Sequence, residues 1–65
     1  MSAFEWVDAP VGRMLMMPTQ VGYTRPLDDG RVAWHVRDAT LRLASHGVAA
    51  SQREAEICVE REMVK

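Results

Sequence analysis

From residue 31 to residue 37 the chain alternates: Val32, Trp34 and Val36 are apolar, with Arg31, Ala33, His35 and Arg37 between and around them. A period of two is the pattern of a half-buried strand, packed on one side and wet on the other. Residues 40–46 alternate again, with Leu41, Leu43 and Ser45 on one side and Thr40, Arg42, Ala44 and His46 on the other. Asp38-Ala39 is a short connection, so the two runs predict an antiparallel hairpin. Gly47 reads as a loosening of the chain before the next element.

That next element has the helical period. SQREAEICVEREM opens on Ser51 with Glu54 three positions later, the spacing of a capping box. Ala55, Cys58, Val59 and Met63 then form one stripe at i, i+3, i+4 and i+8, and the glutamates mostly avoid it. The spacing predicts a helix over 51–64.

Upstream, RPLDDG (25–30) is turn chemistry: Pro26 fixes one dihedral, and Asp29-Gly30 accommodates positive φ. Residues 20–25 are therefore the natural partner strand of 31–37. A loop over 26–30 sets Thr24 opposite Val32 and Tyr23 opposite Ala33. GRMLMMP (12–18) is an apolar run ended by Pro18, either an edge strand or a continuation of 20–25 through a bend. FEWV (4–7) suits a short strand or an anchoring arm, so residues 1–10 are expected as an N-terminal arm or edge strand.

The predicted class is α+β: a three- or four-stranded antiparallel meander followed by one C-terminal helix, packed on one sheet face. Val32, Trp34, Val36, Leu41 and Leu43 are the expected floor beneath that helix.

Length changes this picture little but limits what it can do. With 65 residues the chain is expected to be one complete small domain, 1–65. A domain of this size buries only about 60% of the surface its unfolded chain exposes, so its stability margin is thin. The single cysteine, Cys58, excludes an internal disulfide and suits a reducing compartment. MSAFEWVDAP has no basic residue ahead of an apolar stretch, so no secretion signal is expected, and the cytoplasm is the default location. No run reaches the ~20 apolar residues of a membrane span.

The net charge of −1 exerts no general pull on nucleic acid or anionic membrane. Its distribution is uneven. Residues 11–50 hold Arg13, Arg25, Arg31, Arg37 and Arg42 against Asp28, Asp29 and Asp38, while both ends carry net negative charge.

Catalytic chemistry finds little support. A nucleophilic site needs a nucleophile, a base and a group that orients the base. Cys58 lies on the apolar helix stripe, where a thiol acts as a small hydrophobe. No GxSxG, phosphate-cradling glycine loop or HExxH occurs, so the expectation is a protein that is not an enzyme. His35, His46 and Cys58 lack the spacing of a tetrahedral site, and neither a metal nor a cofactor is expected.

Two candidate contact regions remain. In this register Tyr23, Arg25, Arg31, His35, Arg37, Arg42 and His46 share the sheet face away from the helix. Separately, Met14, Met16 and Met17 flank Leu15 in a strand too short to hide all four on one side. The methionines are a secondary apolar contact, or else core with tolerated exposure. Phe4 and Trp6 either close the core or are presented to a partner.

An open three-stranded sheet carrying arginine, histidine and tyrosine is similar in arrangement to the sheet-reading domains of plant AP2-type factors and the arm-binding domains of tyrosine integrases. The likeness covers roughly residues 21–63 and rests on element order, with no specific motif of either family. It implies a sheet that enters the DNA major groove. Duplex affinity, however, rests on neutralising several phosphates, and this chain is net negative with Lys65 as its single lysine. Arginine, tyrosine and tryptophan are also enriched where proteins meet proteins.

The expected function is therefore that of a small non-catalytic interaction protein. It would be an accessory modulator or inhibitor, of the kind encoded by phages and mobile elements, that sterically occupies a surface of a larger protein complex. Two alternatives stand beside it: a small nucleic-acid-binding regulator using the arginine-rich face, and a structural subunit that forms a homodimer or larger homo-oligomer.

Overall fold

The computed structural model describes residues 4–64. Five strands, β1 (Trp6–Asp8), β2 (Arg13–Met17), β3 (Gln20–Pro26), β4 (Val32–Asp38) and β5 (Leu43–Ala49), precede one helix, α1 (Gln52–Met63). The strands form a single antiparallel sheet in chain order, β1-β2-β3-β4-β5. The α+β meander with a C-terminal helix is as expected, with more strands than the three or four anticipated. The methionine run is a strand of its own, turned back on β3 by Pro18-Thr19 so that Met17 pairs with Gln20. Residues 6–8 add the edge strand. No helix among the described residues is long and apolar enough to cross a membrane.

The helix begins where its sequence announces it. Ser51 Oγ accepts the Glu54 backbone N–H at 3.2 Å, while the Glu54 carboxylate reaches back to the Ala50 N–H at 3.2 Å. The return bond thus lands one residue before the N-cap. The apolar stripe packs on the sheet: Leu15, Val36, Val59 and Met63 form one buried cluster, flanked by Phe4, Trp6 and Trp34. Val32, Ala49 and Ala55 form a second cluster, also against Trp34.

Two glycines let helix and sheet approach. A β-carbon on Gly22 would stand 2.3 Å from Val59 Cγ1, and one on Gly47 would stand 2.8 Å from the Trp34 ring. Gly47 is therefore a strand residue over which an indole lies, and not a loosening of the chain. The missing side-chain volume at these points is what lets Val59 and Trp34 lie directly against the strand backbone.

Helix residues that look solvated in the sequence are partly internal. Glu56 is only 8% exposed. Its Oε2 accepts from Arg13 Nη1 at 3.1 Å and from Gln52 Nε2 at 2.9 Å, and Gln52 also donates to Thr24 Oγ1 at 2.8 Å. Arg13 Nη2 donates to the Trp6 carbonyl at 3.3 Å, and Arg13 Nε lies 3.4 Å from the Asp8 carboxylate. Trp6 Nε1 donates to Glu60 at 2.7 Å. This polar seam joins α1 to β1, β2 and β3 alongside the apolar contacts. Cys58, expected on the core stripe, is only half-buried at its margin.

Three register expectations are corrected. The β3–β4 loop occupies 27–31 and not 26–30, so Tyr23 pairs with His35 and Thr24 with Trp34. A two-residue shift preserves the face of every side chain, because strand alternation has period two. The β4–β5 connection runs longer than Asp38-Ala39. Asp38 Oδ1 accepts from Thr40 N–H, Thr40 Oγ1 and Arg42 N–H, and Leu41 takes a left-handed φ of 63° within the turn. A bulge then separates the Val36–Ser45 pair from the Arg37–Leu43 pair. One extra residue reverses parity at that end. Leu41 and Leu43 are consequently 67% and 49% exposed, and neither lies beneath the helix.

Candidate interaction face

The helix covers one side of the sheet, and the register defines what stands on the other. One residue from each strand forms a continuous central row, Val7–Met14–Tyr23–His35–His46. A second row, Met16–Val21–Arg37–Leu43, lies on one side of it, and Arg25–Ala33–Val48 on the other. Alternation puts all of them opposite the core residues Leu15, Val32 and Val36.

The two regions singled out separately in the sequence are therefore one surface. Met14 pairs directly with Tyr23, and Met16 leads through Val21 to Arg37. Of the seven polar candidates, Tyr23, Arg25, His35, Arg37 and His46 share this face by register. Arg31 and Arg42 do not. Both precede their strands and stand in turns, where Arg31 Nε pairs with Asp29 at 2.7 Å and the Arg42 N–H is held by Asp38. Met17 alternates to the helix side, at the end of the sheet near Phe4 and Leu15.

The sequence analysis missed several apolar members of the face. Val7, Leu43 and Val48 are 47%, 49% and 51% exposed, beside Met16, which the sequence did single out, at 69%. Leu43 was hidden by the bulge. Val48 fell outside the strand as anticipated, although the run Ser45-His46-Gly47-Val48-Ala49 continues the alternation and could have extended it.

The centre of the face is ordered by ring contact. Tyr23 and His35 stack with centroids 4.8 Å apart and planes inclined by 28°. His46 pairs across from His35, and Arg37 Nη1 donates to the Leu41 carbonyl at 3.1 Å. Burial holds the His35 imidazole below its usual pKa of 6.5, and the nearby charges of Arg37, Arg25 and His46 act in the same direction. A shallow depression of about 340 Å³ beside these rings is lined by Ala33, Trp34, His35, Leu43, His46 and Val48, among others.

The electrostatics are one-sided. Within the strands the face carries Arg25, Arg37, His35 and His46, and no carboxylate. Asp8 and Asp38 belong to the opposite alternation. Among the described residues no group of three or more His, Cys, Asp or Glu is placed to hold a metal ion. What the arrangement offers is a flat apolar surface with cationic and aromatic groups at its centre.

No protein-family model matches this chain, and neither the curated proteins nor the solved structures compared with it include a match.

Proposed function

We propose that this is a non-catalytic interaction protein whose open sheet face docks on an acidic and apolar surface of a larger protein or protein complex. It acts there as an accessory modulator or inhibitor by occupying that surface. The observation that carries this reading is the composition of the face: Val7, Met14, Met16, Val21, Leu43 and Val48 surround two arginines and two histidines, with no strand carboxylate among them. Apolar side chains supply area that gains on leaving water. Unmatched cations supply complementarity to carboxylates and steer the encounter.

The same observation argues against nucleic acid as the main ligand. With Arg31 and Arg42 in turns, Arg25 and Arg37 are the permanent cations on the face. Duplex binding scales with the number of phosphates neutralised, and two offer little. Exposed valine, leucine and methionine gain nothing against a phosphate backbone.

The test is affinity capture with the full chain, with and without nuclease, repeated with the double variant Arg25→Glu/Arg37→Glu. A stoichiometric protein partner that survives nuclease is expected, with affinity for the variant lower by at least about a hundredfold, or roughly 2.7 kcal/mol. The variant should keep the wild-type melting temperature, because both side chains are on the surface. Undiminished binding by a folded variant would remove this face from consideration. Loss of the catch on nuclease treatment would establish nucleic acid instead.

A further inference from the structure

We propose that the outer edge of β5, with the flank of α1 above it, is a second binding site. Its occupant is an extended segment of a protein partner that adds to the sheet as a further strand, with large apolar side chains toward α1 and an acidic one at Arg61. This does not depend on what the open face binds.

Among the described residues the strand order leaves β5 with one side unpaired. Its seven residues, LASHGVA, include no proline, lysine, aspartate or glutamate. Those are the residues by which edges are commonly made unfit for pairing. Its bulge lies at the entry end, so the stretch from Ser45 to Ala49 keeps regular pairing with β4. The opposite edge differs in both respects. There β1 has three residues, and its helix side is closed by the bond from Trp6 to Glu60.

On its helix side β5 presents Ser45, Gly47 and Ala49, all small. The helix lies over β3 and β4, where Val59 and Met63 pack on Gly22 and Val36 and Gln52 bonds Thr24, and it meets β5 less. A groove of about 400 Å³ remains between β5 and α1, lined by Val48, Ala49, Ile57, Cys58 and Arg61. Strand addition is a general mode of peptide recognition: main-chain bonds supply affinity, and pockets for alternate side chains supply specificity. The Trp34 indole already covers Gly47, so alternate apolar side chains on the added strand would enter the groove farther along, between Ala49 and the Ile57–Cys58 flank of the helix.

Charge selects the occupant. Glu54, Ile57, Cys58 and Arg61 fall at i, i+3, i+4 and i+7, one stripe along the groove. The Glu54 carboxylate is engaged by the Ala50 N–H. Arg61 is exposed and forms no ion pair among the described residues. The groove thus carries opposite charges at its two ends, Glu54 and Arg61, roughly 10 Å or about three strand residues apart, so an acidic side chain is favoured at the Arg61 end and disfavoured at the Glu54 end.

The experiment selects binders from a displayed library of short random peptides against the full-length chain. It then maps the selected peptides by amide chemical shifts and measures affinity by calorimetry. Expected are sequences with large apolar residues at alternate positions and an acidic residue, shifting Val48, Ala49, Ile57 and Cys58. Arg61→Glu should weaken binding by at least about tenfold. Cys58→Trp, which fills the groove, should abolish it while circular dichroism stays native. Arg25→Glu/Arg37→Glu should leave it unchanged, which separates this site from the open face. The proposal is overturned by failure to recover binders, by shifts confined to the open face, or by affinity indifferent to Arg61→Glu. Concentration-dependent dimerisation that shifts the same β5 amides would assign the edge to a second copy of the chain and overturn it likewise.

Discussion

The two sides of this sheet treat arginine in opposite ways. Arg13, on the helix side, bonds Glu56 through Nη1 and the Trp6 carbonyl through Nη2, and its Nε lies 3.4 Å from the Asp8 carboxylate without a hydrogen bond. Arg25 and Arg37, on the other side of the sheet, face no strand carboxylate at all. The first arginine is part of the fold. The others carry a charge that no strand carboxylate answers, although Arg37 also donates to the Leu41 carbonyl. Charge that a small domain has already neutralised internally tells nothing about partners, and only the unmatched remainder does.

The sharpest way to break the comparison is to swap the outcomes of the two kinds of arginine. Arg13→Met leaves the Glu56 carboxylate largely buried without its cation. Removing one member of a buried pair costs on the order of 3–5 kcal/mol, and the partial exposure of Arg13 places this case near or below the low end. In a domain with so thin a margin, that is enough to unfold much of the population. Urea melts should show it, and Arg13→Met/Glu56→Leu should recover most of the loss. Arg37→Glu on the other face should move the midpoint within about 0.5 kcal/mol. Equal losses from Arg13→Met and Arg37→Glu would mean that the outer arginine is structural too.

Gly22→Ala probes the apolar half of the same helix side. Its new methyl would meet Val59 Cγ1 at 2.3 Å, so the helix must lift or Val59 must change rotamer. Overpacking of this kind costs about 1–3 kcal/mol. A second substitution, Val59→Ala, makes room, so the double variant should be more stable than the sum of the single losses. Strict additivity in thermal melts would show that helix and sheet do not meet there.

How much of this was legible follows from how far each signal reaches along the chain. The helix could be read because Ser51, Glu54 and the stripe from Ala55 to Met63 lie within a few turns of one another. The face assignment of Tyr23 and His35 survived a register error because the slip was even. Leu43 did not survive, because one bulged residue, Ala44, between the Val36–Ser45 and Arg37–Leu43 pairs exchanged its sides. Its only sequence warning was Asp38-Ala39-Thr40, where an aspartate can bond the backbone two residues on and lengthen a turn. The burial of Glu56 could not be read at all. Its partner Arg13 lies 43 residues away, and helical spacing alone places a glutamate in water. Glycines at 22 and 47 were visible, but their meaning depends on which side chain crosses them.

The smallest expected effect concerns the unmatched face directly. His35 sits among Arg37, Arg25 and His46, and its folded pKa lies below 6.5 through burial first and these charges second. A histidine with a depressed folded pKa contributes stability above its unfolded value. That contribution fades as pH falls through 6.5 and on through the folded value, because the unfolded chain takes the proton first. Asp29 and Asp38 are also held low, chiefly by hydrogen bonds from the Arg31 N–H and from the Thr40 hydroxyl. Their contributions persist until pH falls below their ordinary 3.8, so they leave the histidine window clear. The melting temperature should therefore decline modestly between about pH 7 and pH 5, and His35→Gln should flatten part of that decline. Docking against carboxylates reverses the sign for the complex: a partner that stabilises imidazolium raises the His35 pKa, so affinity rises as pH falls through the same window. A complex whose affinity is flat in pH, formed by a protein whose stability is not, would place His35 outside the contact and shift the interface toward Met16 and Val7.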